Sequence, residues 1–145
     1  MDLQDKVALI TGAKRIGMVV AAELAARGVD VALGYARSRA EAEQGAAKVR
    51  GAGRRAAVIQ ADLSRPEGCD GLVSAAVQAL GRLDILINMA SVFAERPFDA
   101  LTVADWDATM HVDLRAAFLC ARSAVPHMRK QGGGRIINFS DWTAK

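Results

Sequence analysis

An α/β fold is what this sequence predicts: one parallel sheet of about five strands covered by helices on both faces. Three observations carry that expectation. Short, nearly continuous β-branched runs recur along the chain, as in strands buried on both faces. Segments of helical spacing separate them, bounded by glycine or proline. Strict alternation of the two then makes the strands parallel, because each helix carries the chain back across the sheet.

The elements follow in order. Val7–Thr11 (VALIT) is the first strand, and Ile16–Arg27 is a helix that stops at Gly28, a left-handed C′ position. Val31–Tyr35 is the second strand, and the charged, Ala-rich Arg39–Arg50 helix ends at Gly51 and Gly53. Ala57–Gln60 is the third strand. The next helix starts at Pro66, with Ser64 just before it, and ends at Gly81. Leu83–Asn88 is the fourth strand. Thr102–Gln131 divides into two helical pieces: Thr102 with Asp105 forms a capping box with Asp in place of Glu, and Pro126 is expected to kink or restart the last turns. Gly132–Gly134 turns the chain into the fifth strand, Arg135–Ser140. Right-handed crossovers give a Rossmann-type, doubly wound sheet of order 3-2-1-4-5. No repeat or linker interrupts it, so residues 1–145 are expected to form one domain.

Composition narrows the function. The chain has 145 residues, 52% hydrophobic and 24% charged, enough for one core. A formal charge of only +3, with no basic stripe, argues against a nucleic-acid partner. No apolar run reaches the length of a membrane span, and the start, MDLQDKVALITG, is not a signal peptide. Cys69 and Cys120 lie far apart and are expected to be packing residues in a reduced, cytoplasmic protein. His111 and His127 have no partner at metal-ligand spacing, so no metal is expected. Arg50, Arg54 and Arg55 are expected to form a solvated surface cluster.

The informative stretch is Thr11-Gly12-Ala13-Lys14-Arg15-Ile16-Gly17, between the first strand and the first helix. Glycine permits a tight turn and close approach of a phosphate, the helix N-terminus adds partial positive charge, and Lys14 and Arg15 add full charges. Packing is the alternative role for such glycines. After the second strand comes Tyr35-Ala36-Arg37-Ser38-Arg39, with no acid until Glu41. An NAD site places an acid there against the ribose hydroxyls. Two guanidiniums and a hydroxyl suit a 2′-phosphate instead, unless Arg37 and Arg39 merely solvate the next helix. NADP(H) is therefore the expected cofactor, and Asp30 stands at the wrong end of its strand to contact the ribose.

These residues resemble the short-chain dehydrogenase/reductase family. The glycine loop, Ala61-Asp62-Leu63, Asn88-Met89-Ala90-Ser91, Val112-Asp113-Leu114-Arg115-Ala116 and Ile136-Ile137-Asn138-Phe139-Ser140-Asp141 match its motifs in order. TGAKRIG, GYARS and NMASVF lean toward its pteridine-reductase-like members. The resemblance implies an oxidoreductase moving hydride between NADP(H) and a carbonyl, alcohol or imine substrate. It places Arg15, Arg37 and Ser38 on the NADP phosphates, and Gly12, Lys14, Ile16, Gly17 and Tyr35 are also expected to contact the cofactor. Asp62 and Leu63 flank the adenine, and Asn88, Ala90 and Ser91 line the ribose and nicotinamide. Phe93 is placed against a flat substrate, with Asp141, Ser140 and Asp113 at the reacting end. It also implies a small-molecule substrate, and homodimers or homotetramers for the family, with the dimer-forming C-terminal helix expected to fall outside these residues.

Departures accompany the match. The phosphate loop is one residue shorter than the family's. Asp113 replaces an Asn, and Asp141 replaces the usual catalytic serine, as in pteridine-reductase-like members. The family's Tyr-x-x-x-Lys falls beyond Lys145, so the chain is expected to be the N-terminal cofactor half of a longer fold and inactive alone. A non-catalytic NADP(H)-binding module and an inert fragment with an exposed fifth strand are the alternatives.

Overall fold

Successive side chains of a strand point to opposite faces, so a strand inside a two-sided sheet is apolar at nearly every position, with polar residues kept to its ends. Val7–Ile10 (β1) and Ile85–Asn88 (β4) are buried along their length, and Asp30–Tyr35 (β2) is buried up to Tyr35. A computed structural model describes residues 2–92 and 95–140. It adds strands Ala56–Gln60 (β3) and Arg135–Asn138 (β5), and helices Ile16–Ala26 (α1), Arg39–Gly51 (α2), Pro66–Leu80 (α3), Val103–Thr109 (α4) and Ala116–Lys130 (α5). The strands form one parallel sheet of order β3-β2-β1-β4-β5, as expected. Ala8, Ile10, Val31 and Leu33 face α1 and α2, while Val7, Leu9, Ala32 and Leu86 face α3 and α5.

Four local expectations are corrected. β3 is only half-buried and β5 is exposed throughout, because they are the outer strands and no described element lies beyond β5. Pro126 does not restart α5: it and Arg122, whose carbonyl loses its N–H partner, are both exposed, so water can serve that carbonyl. The interruption lies instead at Met110–Arg115, a wide π-helical turn joining α4 to α5. Ser64 does not cap α3, whose N-cap is Arg65; its hydroxyl donates to Asp62. The Thr102–Asp105 capping box and the left-handed glycines Gly28 and Gly81 are present.

The basic cluster after α2 is also more than a solvated surface. Arg54 Nε (3.0 Å) and Arg55 Nε (2.7 Å) both donate to buried Asp30 at the start of β2, and Arg55 Nη2 donates to the Leu80 carbonyl at the end of α3. Burial alone would raise the Asp30 carboxyl. The bonds from Arg55 and the nearby Arg54 charge outweigh it and hold the group below its ordinary value.

Asp84 forms a second clasp. Its carboxylate accepts from Val7 N–H at 2.9 Å and from both Arg82 Nε and Nη2, at 2.8 and 2.7 Å. Burial works to raise its pKa, but the Arg82 and Val7 bonds hold it lowered. A lowered folded pKa means the stabilisation is complete above the unfolded value and is lost as pH falls through the folded one. Asp84→Asn is therefore expected to cost ~2–3 kcal/mol at neutral pH. The gap from the parent should close as the pH of urea unfolding is lowered below the ordinary carboxylate value and through the folded one. A gap that stays constant would show that the carboxylate charge plays no part.

Candidate functional site

A parallel sheet gathers the C-terminal ends of its strands, and the loops that leave them form the site. At the end of β1, buried Thr11 ties the sheet together. Its N–H donates to the Ile87 carbonyl, and its hydroxyl oxygen accepts from the N–H groups of Met89 (3.0 Å) and Ala90 (3.1 Å). The next residues make a closed loop. A Cβ on Gly12 would lie 2.9 Å from the Met89 carbonyl oxygen, and one on Gly17 would lie 1.9 Å from that of Gly12. Both glycines are thus demanded by the chain's own packing.

Although the loop is short, α1 starts at Ile16, and Gly17 N–H donates to Lys14 O at 2.8 Å. Arg15 supplies the bend at φ 41°, an uncommon conformation for a residue with a side chain. No side chain caps α1 and no acid occupies its first turn. Gly17 N–H is taken by Lys14 O, but among the described residues those of Ile16 and Met18 are left for solvent or an anion, beside the exposed Lys14 and Arg15. Ile16 is also exposed, at 59%.

At the end of β2, Tyr35 and Ser38 are half-buried and Arg37 is exposed; Ser38 is the N-cap of α2 but makes no capping bond with its hydroxyl. Gln60 Nε2 donates to Ala36 O and holds this loop to β3. Beyond β3, Asp62 Oδ1 accepts from the Ser64 hydroxyl (2.6 Å) and N–H (3.0 Å), forming an Asx turn. The Ser64 hydroxyl and then its N–H hold the Asp62 carboxyl below its ordinary value, helped by Arg65 and Arg37. Leu63 turns inward and is buried.

The end of β4 is the most polar buried point. Asn88 Nδ2 donates to Asn138 Oδ1 at 2.8 Å and to Ala117 O at 3.4 Å, while Asn88 Oδ1 is buried with no donor among the described residues. Further along, the Asp113 carboxylate accepts from the Ser91 hydroxyl and Val92 N–H, both at 2.9 Å. A cleft of about 420 Å³ opens here, with Thr11, Leu63, Asn88, Ala90, Asp113 and Ser140 in its wall.

Five of the residues singled out in the sequence, Leu63, Asn88, Ala90, Asp113 and Ser140, thus share one cleft, and Ser91 joins through its bond to Asp113. Gly12, Lys14 and Arg15 sit on the β1–α1 loop and Ile16 and Gly17 in the first turn of α1, with Tyr35, Arg37, Ser38 and Asp62 at the neighbouring strand ends. Phe93 and Asp141 lie outside the described residues. Thr11 and Asn138 stand within the sequence motifs, but their roles emerge only from the structure. A threonine directly after a buried strand hints at the first, whereas Asn138 reads as an ordinary strand residue.

Burial pushes the Cys120 thiol up to about 12 and also raises that of Cys69, so neither is a nucleophile at neutral pH. Among the described residues no cluster of three or more His, Cys, Asp or Glu could hold a metal. No helix among them is long and apolar enough to cross a membrane.

Comparison with known proteins fits this architecture. The short-chain reductase protein NovJ of Streptomyces niveus is 36% identical over 143 residues, which cover 98% of this chain and 54% of that protein. The chain thus spans about half the length of the curated relatives it matches. Two solved structures are similar. An NADH-dependent reductase, A1-R′, complexed with NAD has a TM-score of 0.90 at 32% identity, over 99% of this chain and 63% of that one. A blue fluorescent protein from a metagenomic library, in complex with NADPH, has a TM-score of 0.85 at 32% identity, over 98% and 58%. Residues 6–144 match the family described as short chain dehydrogenase, and with the parallel sheet and its glycine loop this places the chain in the short-chain dehydrogenase/reductase family of oxidoreductases.

Proposed function

We propose that residues 1–145 form the NADP(H)-binding domain of a cytoplasmic oxidoreductase acting on a small carbonyl, alcohol or imine compound. The observation that carries this is the run of side chains at one end of the sheet. Lys14 and Arg15 flank the uncapped start of α1, and Arg37 and Ser38 follow β2 with no acid before Glu41. One of the similar structures is a complex with NAD and the other with NADPH, so this chain's own β2 end must decide between them.

The residues fit a dinucleotide. The glycine-closed loop from Gly12 to Gly17 and the α1 N–H groups suit a diphosphate, and Arg37 and Ser38 with Arg15 suit a 2′-phosphate. Tyr35 and Ile16 supply apolar surface beside them. Ionised Asp62 can accept a bond from the adenine amino group, with Leu63 as the apolar wall. Buried Asn88 Oδ1 lacks a donor and suits a ribose hydroxyl. Once bound, the nicotinamide supplies or accepts the hydride.

Ser140 borders the reacting end of the cleft, and Asp141 follows it in sequence as a candidate proton carrier, with Phe93 proposed against the substrate. Both Asp113 oxygens already accept bonds from the Ser91–Val92 loop, which makes it a positioning residue more than a proton carrier. Assembly as a homodimer or homotetramer is proposed from the family. Titrating the purified chain into NADPH should give a saturable change in nucleotide fluorescence. A flat titration would reject the proposal. Binding without turnover is a second reading of the same geometry. It predicts saturable binding with no NADPH oxidation across a panel of carbonyl compounds.

A further inference from the structure

The π-helical turn at Met110–Arg115 has two polar arms. Residues two apart on a helical turn do not share a face, so Asp113 and Arg115 reach in different directions. Asp113 grips the loop after β4, through Ser91 and Val92. Arg115 reaches the turn after β3, where its Nη2 donates to the carbonyl of Ser64. We propose that Arg115 is a positioning residue for the adenine end of the site, holding the Asp62–Leu63 turn through Ser64 as Asp113 holds the Ala90–Ser91 loop. This rests on the dinucleotide reading given above.

The contacts run without a gap. Arg115 holds the Ser64 backbone; Ser64 N–H and hydroxyl both donate to Asp62 Oδ1; and Leu63, between them, is buried in the wall of the cleft that Asp113 also lines. The Arg115 side chain accepts a burden to do this, since its Nε is buried with no acceptor among the described residues. A guanidinium in water would satisfy all its donors, so burying one unpaired is costly unless the bond made elsewhere fixes something of value. Both walls then hang from one short turn, and the spacing of the adenine and nicotinamide ends is set by six residues, Met110 to Arg115.

The alternative is a plain tie between α5 and the β3–α3 turn that serves stability alone. Measuring binding of two probes to the full chain separates the two. Adenosine 2′,5′-bisphosphate reports only on the adenine end, and NADPH reports on both. Arg115→Ala should weaken both probes roughly tenfold, the value of one charge-assisted bond. Arg115→Lys, which can still donate to the Ser64 carbonyl, should recover most of that loss. Asp113→Ala should weaken NADPH and leave the bisphosphate unchanged. Arg115→Met, which keeps the apolar stem, should behave like the alanine variant if that one folds poorly. Unchanged bisphosphate binding in Arg115→Met, or equal loss of it in Asp113→Ala, would overturn the proposal. Hydrogen exchange without ligand gives an independent arm: the Ser64 and Arg65 amides should exchange faster in Arg115→Met than in the parent, and equal rates would overturn the brace. If the parent binds neither probe while these amides do respond, the dinucleotide reading fails and the assignment to an adenine end falls with it.

Discussion

Gly17→Ala is expected to abolish saturable NADPH binding and to lower stability by ~3 kcal/mol, the upper end for forced overpacking. The new Cβ would lie 1.9 Å from the Gly12 carbonyl oxygen and 3.0 Å from its carbon. Both are backbone atoms, so no rotamer can relieve the contact. Either α1 must lift from the sheet or the loop must move, and the loop is held next door by the bonds of Thr11 to Met89 and Ala90. Gly12→Ala should be milder, because its nearest contact, the Met89 carbonyl oxygen, is 2.9 Å away. Gly51→Ala is the matched control. It has open space around the added carbon and no left-handed backbone, so it should be neutral or gain about 0.5 kcal/mol. Urea midpoints and NADPH titrations of the three variants check the order. Parent-like values for Gly17→Ala would mean that the loop is far more yielding than its contacts imply.

Arg37→Ala is expected to weaken NADPH by about 10- to 100-fold while changing NADH affinity little. Arg37 is exposed at the end of β2, where its charge already bears on Asp62, and no acid stands nearby in sequence before Glu41. A guanidinium there can fork onto the extra phosphate, a bond worth ~1.5–3 kcal/mol when charge-assisted. Because the group is exposed, the preference should shrink as ionic strength rises. Arg37→Asp should go further and favour NADH, by offering the ribose hydroxyls an acceptor. Fluorescence titrations of both nucleotides decide the matter. Equal losses for the two in Arg37→Ala would remove the 2′-phosphate assignment.

The sheet order and the strand-end loops were legible because their signals are local. An apolar run between Gly28 and a charged helix, or Pro66 at a helix start, carries its meaning within a few residues. The clasps were not legible, since Asp30 meets Arg54 and Arg55 across 24 and 25 residues and only the fold brings them together. The wide turn at Met110–Arg115 was hidden for another reason. One extra residue in a helical turn barely disturbs the apolar spacing, while Pro126, the stronger breaker signal, stands where the helix continues. In the candidate site, residue types singled out the loops at the strand ends. They could not show that Gly12 and Gly17 are squeezed by backbone, or that Asp113 is already engaged by Ser91 and Val92.

The pairing of β1 with β4 also bears on how the chain reaches this structure. Val7 and Asp84 meet 77 positions apart, whereas β1 and β2 close a span less than a third as long. By loop-closure entropy the longer closure costs roughly 1 kcal/mol more. The β1-α1-β2-α2-β3 half can therefore assemble first, with β4 docking later onto the open side of β1. Thr11 can then complete its bonds to Met89 and Ala90 only at that late step, so the floor of the cleft is among the last parts of the molecule to form.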